Sequence, residues 1–566
     1  MFGPFPPTSV FPKRRHDRKL SRAELLTTSK WAIHAITGST PFATPPDVAA
    51  ALRKATAEEA QKGECRGPFT KAQMDARHPR GWLPCVRFPV TQKGKVRACD
   101  DYSKFGQNGT SESDETVDTE GTDAIAAVAR LWASAVDQHG NVRIALSDGT
   151  VLEGKLHPSL TRQDVLELLA RIIDLARAYK QLARHPDDAD LAIFAIQDEN
   201  GEWQFFEAIA LGFGARDAVL SFNLMARALR HILNVLLWIA ATHFYDDFSQ
   251  VDPRAFAVES CQATEDLFTL LGWSFKSDAD QLLPTAPSFC PLGVTMDFSQ
   301  AGFVVIGNTA KRVAHIRTEI ERILALEVLA PSALASLVGV SQFAESQTCG
   351  RTGVMILKEV RTAARDLGPT GRSRLQKALG VLGDYFKRVR PRTVRLTSYL
   401  PPVVILTDAA AEDCGASLGA VMVDPAESKF EFFGKRISPG LVDHWRRTGQ
   451  QQVICQAELV AVPVALTTWQ SVITNRDVLF FIDNEPAREA LVRGSSVSDD
   501  SSSYVTYCRL LCAESGAAVW YARVASPSNI SDAPSRGSFS ELESAGAIWR
   551  QPSAISCEPK LRLYDF

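Results

Sequence analysis

The chain has 566 residues, of which 45% are hydrophobic and 22% charged. This is an ordinary globular composition, long enough for about three or four domains. It excludes a wholly disordered chain and a small disulfide scaffold. The formal net charge is −3, but residues 1–100 hold 18 Lys/Arg against 8 Asp/Glu, and residues 311–400 hold 16 against 7. Two basic regions separated by acidic ones suit a protein that grips phosphates and also collects cations.

The eleven cysteines are scattered without paired spacing. They read as reduced thiols of an intracellular protein, nuclear or cytoplasmic and not secreted. The first residues, MFGPFPPTSVFPKRRHDRK, lack the apolar core of a signal peptide. The longest apolar run, 232–241, contains Asn234 and is too short to span a bilayer, so no membrane partner is expected.

In chain order, residues 1–78 read as a Pro-punctuated leader with a helical stretch near 46–62. Residues 79–105 read as short strands around a turn at Lys93-Gly94, and 106–125 as a polar loop. A stretch at about 130–165 reads as an insertion, in which Ser147-Asp148-Gly149-Thr150 is a hairpin turn. Residues 164–183 suit a helix running into a strand. Residues 218–240 suit a long helix with a strongly apolar face, before a buried strand, ATHFYDDFSQV. Residues 311–390 are helix-rich and basic, and 391–402 read as a linker. An α/β pattern follows, with apolar strands VVILTDAAA and VLFFIDNEPA, the helix QAELVAVPVALTTWQ and a polar loop at 495–503.

Two sets of acids stand out. Asp246 and Asp247 follow the apolar approach to Phe244-Tyr245, and Asp174 closes RIIDLARAYKQL. Acids at the ends of apolar strands are costly unless their charge is compensated, and divalent metal is an obvious compensation. The second set is Asp408 after VVIL, Asp483 after VLFFI, Glu458 in a helix and Asp532 in a turn-like segment. Four acids from strand, helix, strand and turn can converge on two metal ions.

Taken in order, these motifs resemble those of a retrotransposon reverse transcriptase followed by ribonuclease H. Arg97 with Asp101-Tyr102 resembles the fingers strand pair, and Asp174 to Tyr179 the first catalytic motif. Leu211-Gly212-Phe213-Gly214 resembles the motif before the template-gripping helix. Tyr245-Asp246-Asp247 resembles the catalytic hairpin, and Leu292-Gly293 the primer grip. Ala178–Leu182, Leu337–Ser346 and Gly350-Arg351 look most like the DIRS-type branch and related protist elements.

The resemblance implies an α+β fold: a right-hand polymerase of fingers, palm and thumb, then an α/β ribonuclease H-like domain. Its expected divisions are a leader at 1–78, fingers and palm at 79–310, a helical thumb or connection at 311–396, and the nuclease at 397–566. The implied activity is RNA-directed DNA synthesis with degradation of the RNA strand of the hybrid. The implied partners are an RNA template, a DNA primer, an RNA–DNA hybrid and deoxynucleoside triphosphates. Asp174, Asp246 and Asp247 would hold one pair of Mg²⁺ (or Mn²⁺) ions, and Asp408, Glu458, Asp483 and Asp532 a second pair.

By the same resemblance, Lys95 and Arg97 would neutralise the triphosphate, Tyr179 would press against the sugar, and Phe213 and Gly214 would shape the pocket floor. The family's lysine before the primer grip falls at Lys276 or, in another register, at Asp280. The other reading is a degenerate or domesticated element product that only binds nucleic acid. A cellular or telomerase-like polymerase does not account for the second set of acids.

Overall fold

The structure is a computed structural model that describes residues 2–554 except 39–43, 93–94, 147, 277–284, 327–330, 349–352, 366–368, 398–399, 413–414, 448–452 and 497. It is a mixed α/β chain of two compact units. The first comprises Met1–Val128, Ala170–Asp252 and Phe256–Ala286; the second comprises Ala129–Leu169, Pro253–Ala255 and Pro287–Phe566.

In the first unit, strands β1 (Pro84–Gln92) and β2 (Lys95–Asp100) form an antiparallel pair at one side of a five-stranded sheet. The expected helix near 46–62 is present as Pro46–Gln61, with its proline in the first turn, where a missing N–H costs nothing. It holds the sheet through buried Arg87, which donates to Asp100 at 2.7 and 3.1 Å and to Glu59 at 2.9 Å. A fully paired buried guanidinium of this kind fixes the end of β2, since removing a partner would leave a buried charge.

A three-stranded sheet carries β3 (Leu168–Asp174), β4 (Ala241–Phe244) and β5 (Asp247–Pro253), with β5 in the middle. The segment 241–251, a strand by its apolar pattern, is a hairpin folded back on itself at Tyr245-Asp246, as the resemblance implies for Tyr245-Asp246-Asp247. Before it, helix α1 (Arg216–His231) buries Ala218, Phe222, Ala226 and Leu229, a helical spacing on one face. It passes into a π turn at Ile232–Leu236, so the expected long helix is shorter than its apolar run.

Two loop expectations fail in this unit. Lys13–His16 of the leader pairs antiparallel with Ser113–Glu115, so residues 106–125 are not simply a loop. A helix begins at Thr122. The polar composition of both segments hid a pairing between residues roughly a hundred apart.

The second unit holds a four-stranded sheet that ends in β6 (Phe303–Asn308) and β7 (Arg392–Arg395). The expected linker at 391–402 thus supplies a strand, paired with Phe303–Ile306. Between these strands lie helices Ala310–Ala325, Pro331–Thr348, Val354–Ala363 and Pro369–Arg388, as the periodicity predicts. The stretch at 130–165 contains a two-stranded hairpin, Asn141–Ala145 with Val151–Lys155. Its turn is closed by the Thr150 N–H donating to Asp148.

A six-stranded sheet follows. It is built on β8 (Val403–Glu412), β9 (Gly415–Asp424), β10 (Lys429–Arg436), β11 (Asp477–Ile482) and β12 (Ala518–Arg523), in the order β12-β11-β8-β9-β10, with Ile548–Trp549 at the far edge. Strand β8 is parallel to β11 and antiparallel to β9. Helix α2 (Ile454–Thr468) is buried on all sides from Gln456 to Leu466. Each buried Val or Leu there contributes about 1.5–3 kcal/mol. The polar run at 495–503 is a loop only at its start: Ser498 caps helix α3 (Asp499–Ser515). Among the described residues, no helix is long and apolar enough to cross a membrane.

Candidate active sites

The first acidic site sits at the tip of the β4–β5 hairpin. Phe244 pairs with Asp247, leaving Tyr245-Asp246 as a two-residue turn. Such turns need a left-handed residue, and Tyr245 takes it with φ 55°. A side chain other than glycine in that region costs roughly 1–2 kcal/mol. The Asp246 carbonyl accepts from the Leu175 N–H at 3.0 Å, tying the turn to the end of β3.

Asp174 lies there too, its carboxylate in an ion pair with Lys276. The Lys276 N–H also donates to the Asp174 carbonyl at 3.0 Å. Asp174 Oδ1 is buried without a hydrogen-bond partner. Burial first, then the charge of Asp174, raises the Asp246 pKa above its ordinary value, while Lys276 and Arg97 pull it down. Asp174, Asp246, Arg97 and Lys276 are thus within electrostatic reach of one another. Asp247 follows on β5, half-buried.

Tyr179 is buried beside this turn, its ring 4.9 Å from both Phe213 and Phe222. Burial, then Tyr245 and Asp246, push its phenol pKa up. Phe213 and Gly214 lie on a loop that folds over β2, where the Asp100 N–H donates to the Phe213 carbonyl at 3.1 Å. Gly214 has φ 103°, and a Cβ there would fall on the Asp100 carbonyl, so the close approach requires glycine. Lys95 opens β2, but its side chain lies outside the described residues, as does Asp280.

The second acidic site is more compact. One residue beyond the Thr407–Ile482 register pair, Asp483 follows the end of β11, whereas Asp408 lies within β8, which runs on to Glu412 instead of ending at the acid. Glu458 reaches them from α2. One carboxylate oxygen from each of these three residues lies within 4.8 Å of the others. Among the described residues, no other group of three His, Cys, Asp or Glu meets that geometry.

Glu458 Oε1 accepts from the Ala409 N–H at 3.3 Å, whereas its Oε2 is buried without a hydrogen-bond partner. Burial first, then Asp408 and Asp483, push Glu458 up to about 9. Burial, then Asp483 and Asp532, push Asp408 up to about 6 against a hydrogen bond from Ser535. Converging carboxylates with an orphaned oxygen are a donor set for a hard divalent cation.

Asp532 does not join the triad. It starts a short helix, α4 (Asp532–Ser535), rather than a plain turn, and its carboxylate accepts from Arg536 at 2.9 Å. It stays close enough to raise Asp408.

The residue that sequence reasoning missed is Ser535, whose hydroxyl donates to Asp408 Oδ2 at 2.5 Å. Helix α4 can lie on the sheet because β9 and β10 offer Gly419 and Gly434. A Cβ at either would fall on α4 backbone atoms. The signal was two glycines inside apolar strands, a mark of close backbone approach.

No family model matches the chain, and no curated protein matches it. Among solved structures, it is similar to a foamy viral protease-reverse transcriptase, labelled dRH, in complex with double-stranded DNA. That likeness has 10% identity and a TM-score of 0.43, and covers 90% of this chain and 75% of that one. It is also similar to a foamy viral protease-reverse transcriptase in complex with double-stranded DNA, at 11% identity and a TM-score of 0.42, covering 86% of this chain and 85% of that one.

Proposed function

We propose that this chain is an RNA-directed DNA polymerase with a separate ribonuclease H site, of the kind encoded by a DIRS-type retroelement. The observation that carries the reading is the pair of acidic sites, one in each compact unit, each built on or beside apolar strands. A module that only binds nucleic acid gains nothing from packing Asp408, Glu458 and Asp483 together in its interior, since uncompensated buried carboxylates destabilise a fold.

In this reading, residues 79–310 are fingers and palm, 311–396 thumb or connection, and 397–566 the nuclease, with 1–78 a leader. Asp174, Asp246 and Asp247 would hold metal in the polymerase. Asp408, Glu458 and Asp483 would do so in the nuclease, with Asp532 at the rim. Bound Mg²⁺ or Mn²⁺ would supply Lewis-acid stabilisation of charge developing on the reacting phosphate.

The protein's own groups do the rest. Arg97 and Lys95 would neutralise the triphosphate, Arg as a bidentate fork. Tyr179, wedged between Phe213 and Phe222, presents a rigid edge to the sugar. Ser535 orients the Asp408 carboxylate. Lys276 holds Asp174 in place.

The test is primer extension on an RNA template and cleavage of a labelled RNA–DNA hybrid, with purified protein and Mg²⁺. Both activities are expected. Folded protein that binds the hybrid but does neither would replace this reading with the binding-only alternative.

A further inference from the structure

Within the second unit, a cavity of ≈380 Å³ lies between β7, the start of β11 and the edge strand β12. Six arginines line it: Arg130, Arg390, Arg392, Arg395, Arg476 and Arg509. The one acid among the lining residues is Asp477. Nothing in either acidic site uses these groups. Asp477 opens the six-residue β11, and Asp483 follows its other end. A strand of that length separates the cavity from the triad by roughly 20 Å.

Several of the arginines are already engaged. Arg476 is neutralised by Asp424 at 2.9 Å, and Arg509 donates to the Leu491 carbonyl at 2.7 Å. Arg130 stands 3.8 Å from Asp477. Arg390 and Arg395 have no carboxylate partner among the described residues. Arg395 lies over the Phe303 ring at 5.7 Å, and its Nε is buried without an acceptor. Phe303 also lines the cavity. Holding this many guanidinium groups around one concavity is unfavourable unless an anion enters. The volume falls in the range of small-ligand sites. Planar guanidinium forks match phosphate oxygens better than any other common anion.

We propose that this cavity is a phosphate-binding site distinct from both acidic centres, and that it takes a polyphosphate or a nucleic-acid phosphodiester. Arg390 and Arg395 make the decisive contacts. Arg392, beside them on β7, adds to the field. The proposal does not depend on polymerase activity, because binding is read without turnover.

The experiment compares the full chain with an Arg390→Glu/Arg395→Gln variant in EDTA. Inorganic tripolyphosphate is titrated by calorimetry. A short fluorescein-labelled RNA–DNA hybrid is titrated by anisotropy at several salt concentrations. The variant is expected to lose at least tenfold in affinity for one probe. Loss for tripolyphosphate alone assigns a free polyphosphate. Loss for the hybrid, with a shallower salt dependence, assigns a backbone phosphate. Unchanged affinity for both probes overturns the site, since any binding that remains lies elsewhere. Arg390 is exposed, so Arg390→Glu alone, with Arg390→Lys as the rescue, gives the same reading should the double variant melt early.

Discussion

In the first unit, Asp174 meets the ammonium of Lys276, and Arg97 lends a second positive charge. In the second, Asp408, Glu458 and Asp483 meet one another, the Ser535 hydroxyl and the Ala409 N–H. Both sites gather carboxylates on or beside apolar strands, yet they balance charge differently. The first carries its own counter-charge on a partly exposed lysine. The second meets mainly dipoles, with Arg536 acting on Asp408 from its pairing with Asp532, and relieves the rest by taking a proton or a cation. An open acidic site can thus be built with a replaceable internal cation, whereas a buried one is held ready by strain among its carboxylates.

The largest expected effect separates the sites. Asp483→Asn should lower cleavage of the RNA strand by a factor on the order of a thousand and leave primer extension within a fewfold of wild type. Asp246→Asn should do the reverse. Assaying both proteins on both substrates checks this, with melting curves as the folding control. Loss of both activities in either folded variant would break the two-site comparison.

Next comes the sugar. Tyr179→Ala should raise the kcat/KM for ribonucleotides relative to deoxynucleotides by about tenfold or more, through space opened beside the 2′ position. An unchanged ratio would reduce Tyr179 to packing against Phe213 and Phe222.

A smaller effect concerns charge strain. In EDTA at pH 7, Glu458→Gln should raise the melting temperature by roughly a few degrees, because it removes the cost of protonating a carboxyl held at about 9 in the folded chain. Mg²⁺ should stabilise the wild type more than the variant, which keeps only the Asp174–Asp246–Asp247 site. A variant that melts lower in EDTA and gains as much from Mg²⁺ as the wild type would show that the triad is not metal-seeking.

The smallest effect serves as a contrast, a buried acid whose charge is fully answered. Burial would raise Glu207, but hydrogen bonds from His78 and Arg77 outweigh it and hold the group at about 2. A depressed folded value means stability that is present above the unfolded value and lost as pH falls toward 2. That contribution is at most about 3 kcal/mol. Between pH 5 and 3, the wild-type melting temperature should fall more steeply than that of Glu207→Gln. Parallel slopes would remove Glu207 from the acid response.

Much of each site was legible because acids at the ends of apolar runs are a local pattern. VVILTD and VLFFID mark the strands that deliver Asp408 and Asp483, and the apolar approach to Phe244 marks the hairpin. What escaped depends on distant partners. The resemblance marks Lys276 or Asp280 as the position before the primer grip, but nothing local ties Lys276 to Asp174, 102 residues earlier. The leader strand Lys13–His16 reads as a solvated basic run until Ser113–Glu115 pairs with it. Arg392–Arg395 reads as a linker because its arginines mask the strand, which gains its order from Phe303–Ile306.

The Ser535–Asp408 hydrogen bond spans 127 residues, and this separation sets an order of events. Strands β8 and β9 are neighbours in sequence and can pair early, whereas the Ser535 bond must wait for a long closure with its entropic cost. The glycine seat at Gly419 and Gly434 is therefore made before its occupant arrives. During folding, the Asp408–Glu458–Asp483 carboxylates are then expected to pass through a stage in which the sheet is formed but Asp408 is still unoriented. The hydrogen bond that orients Asp408 is the last feature of the triad to form.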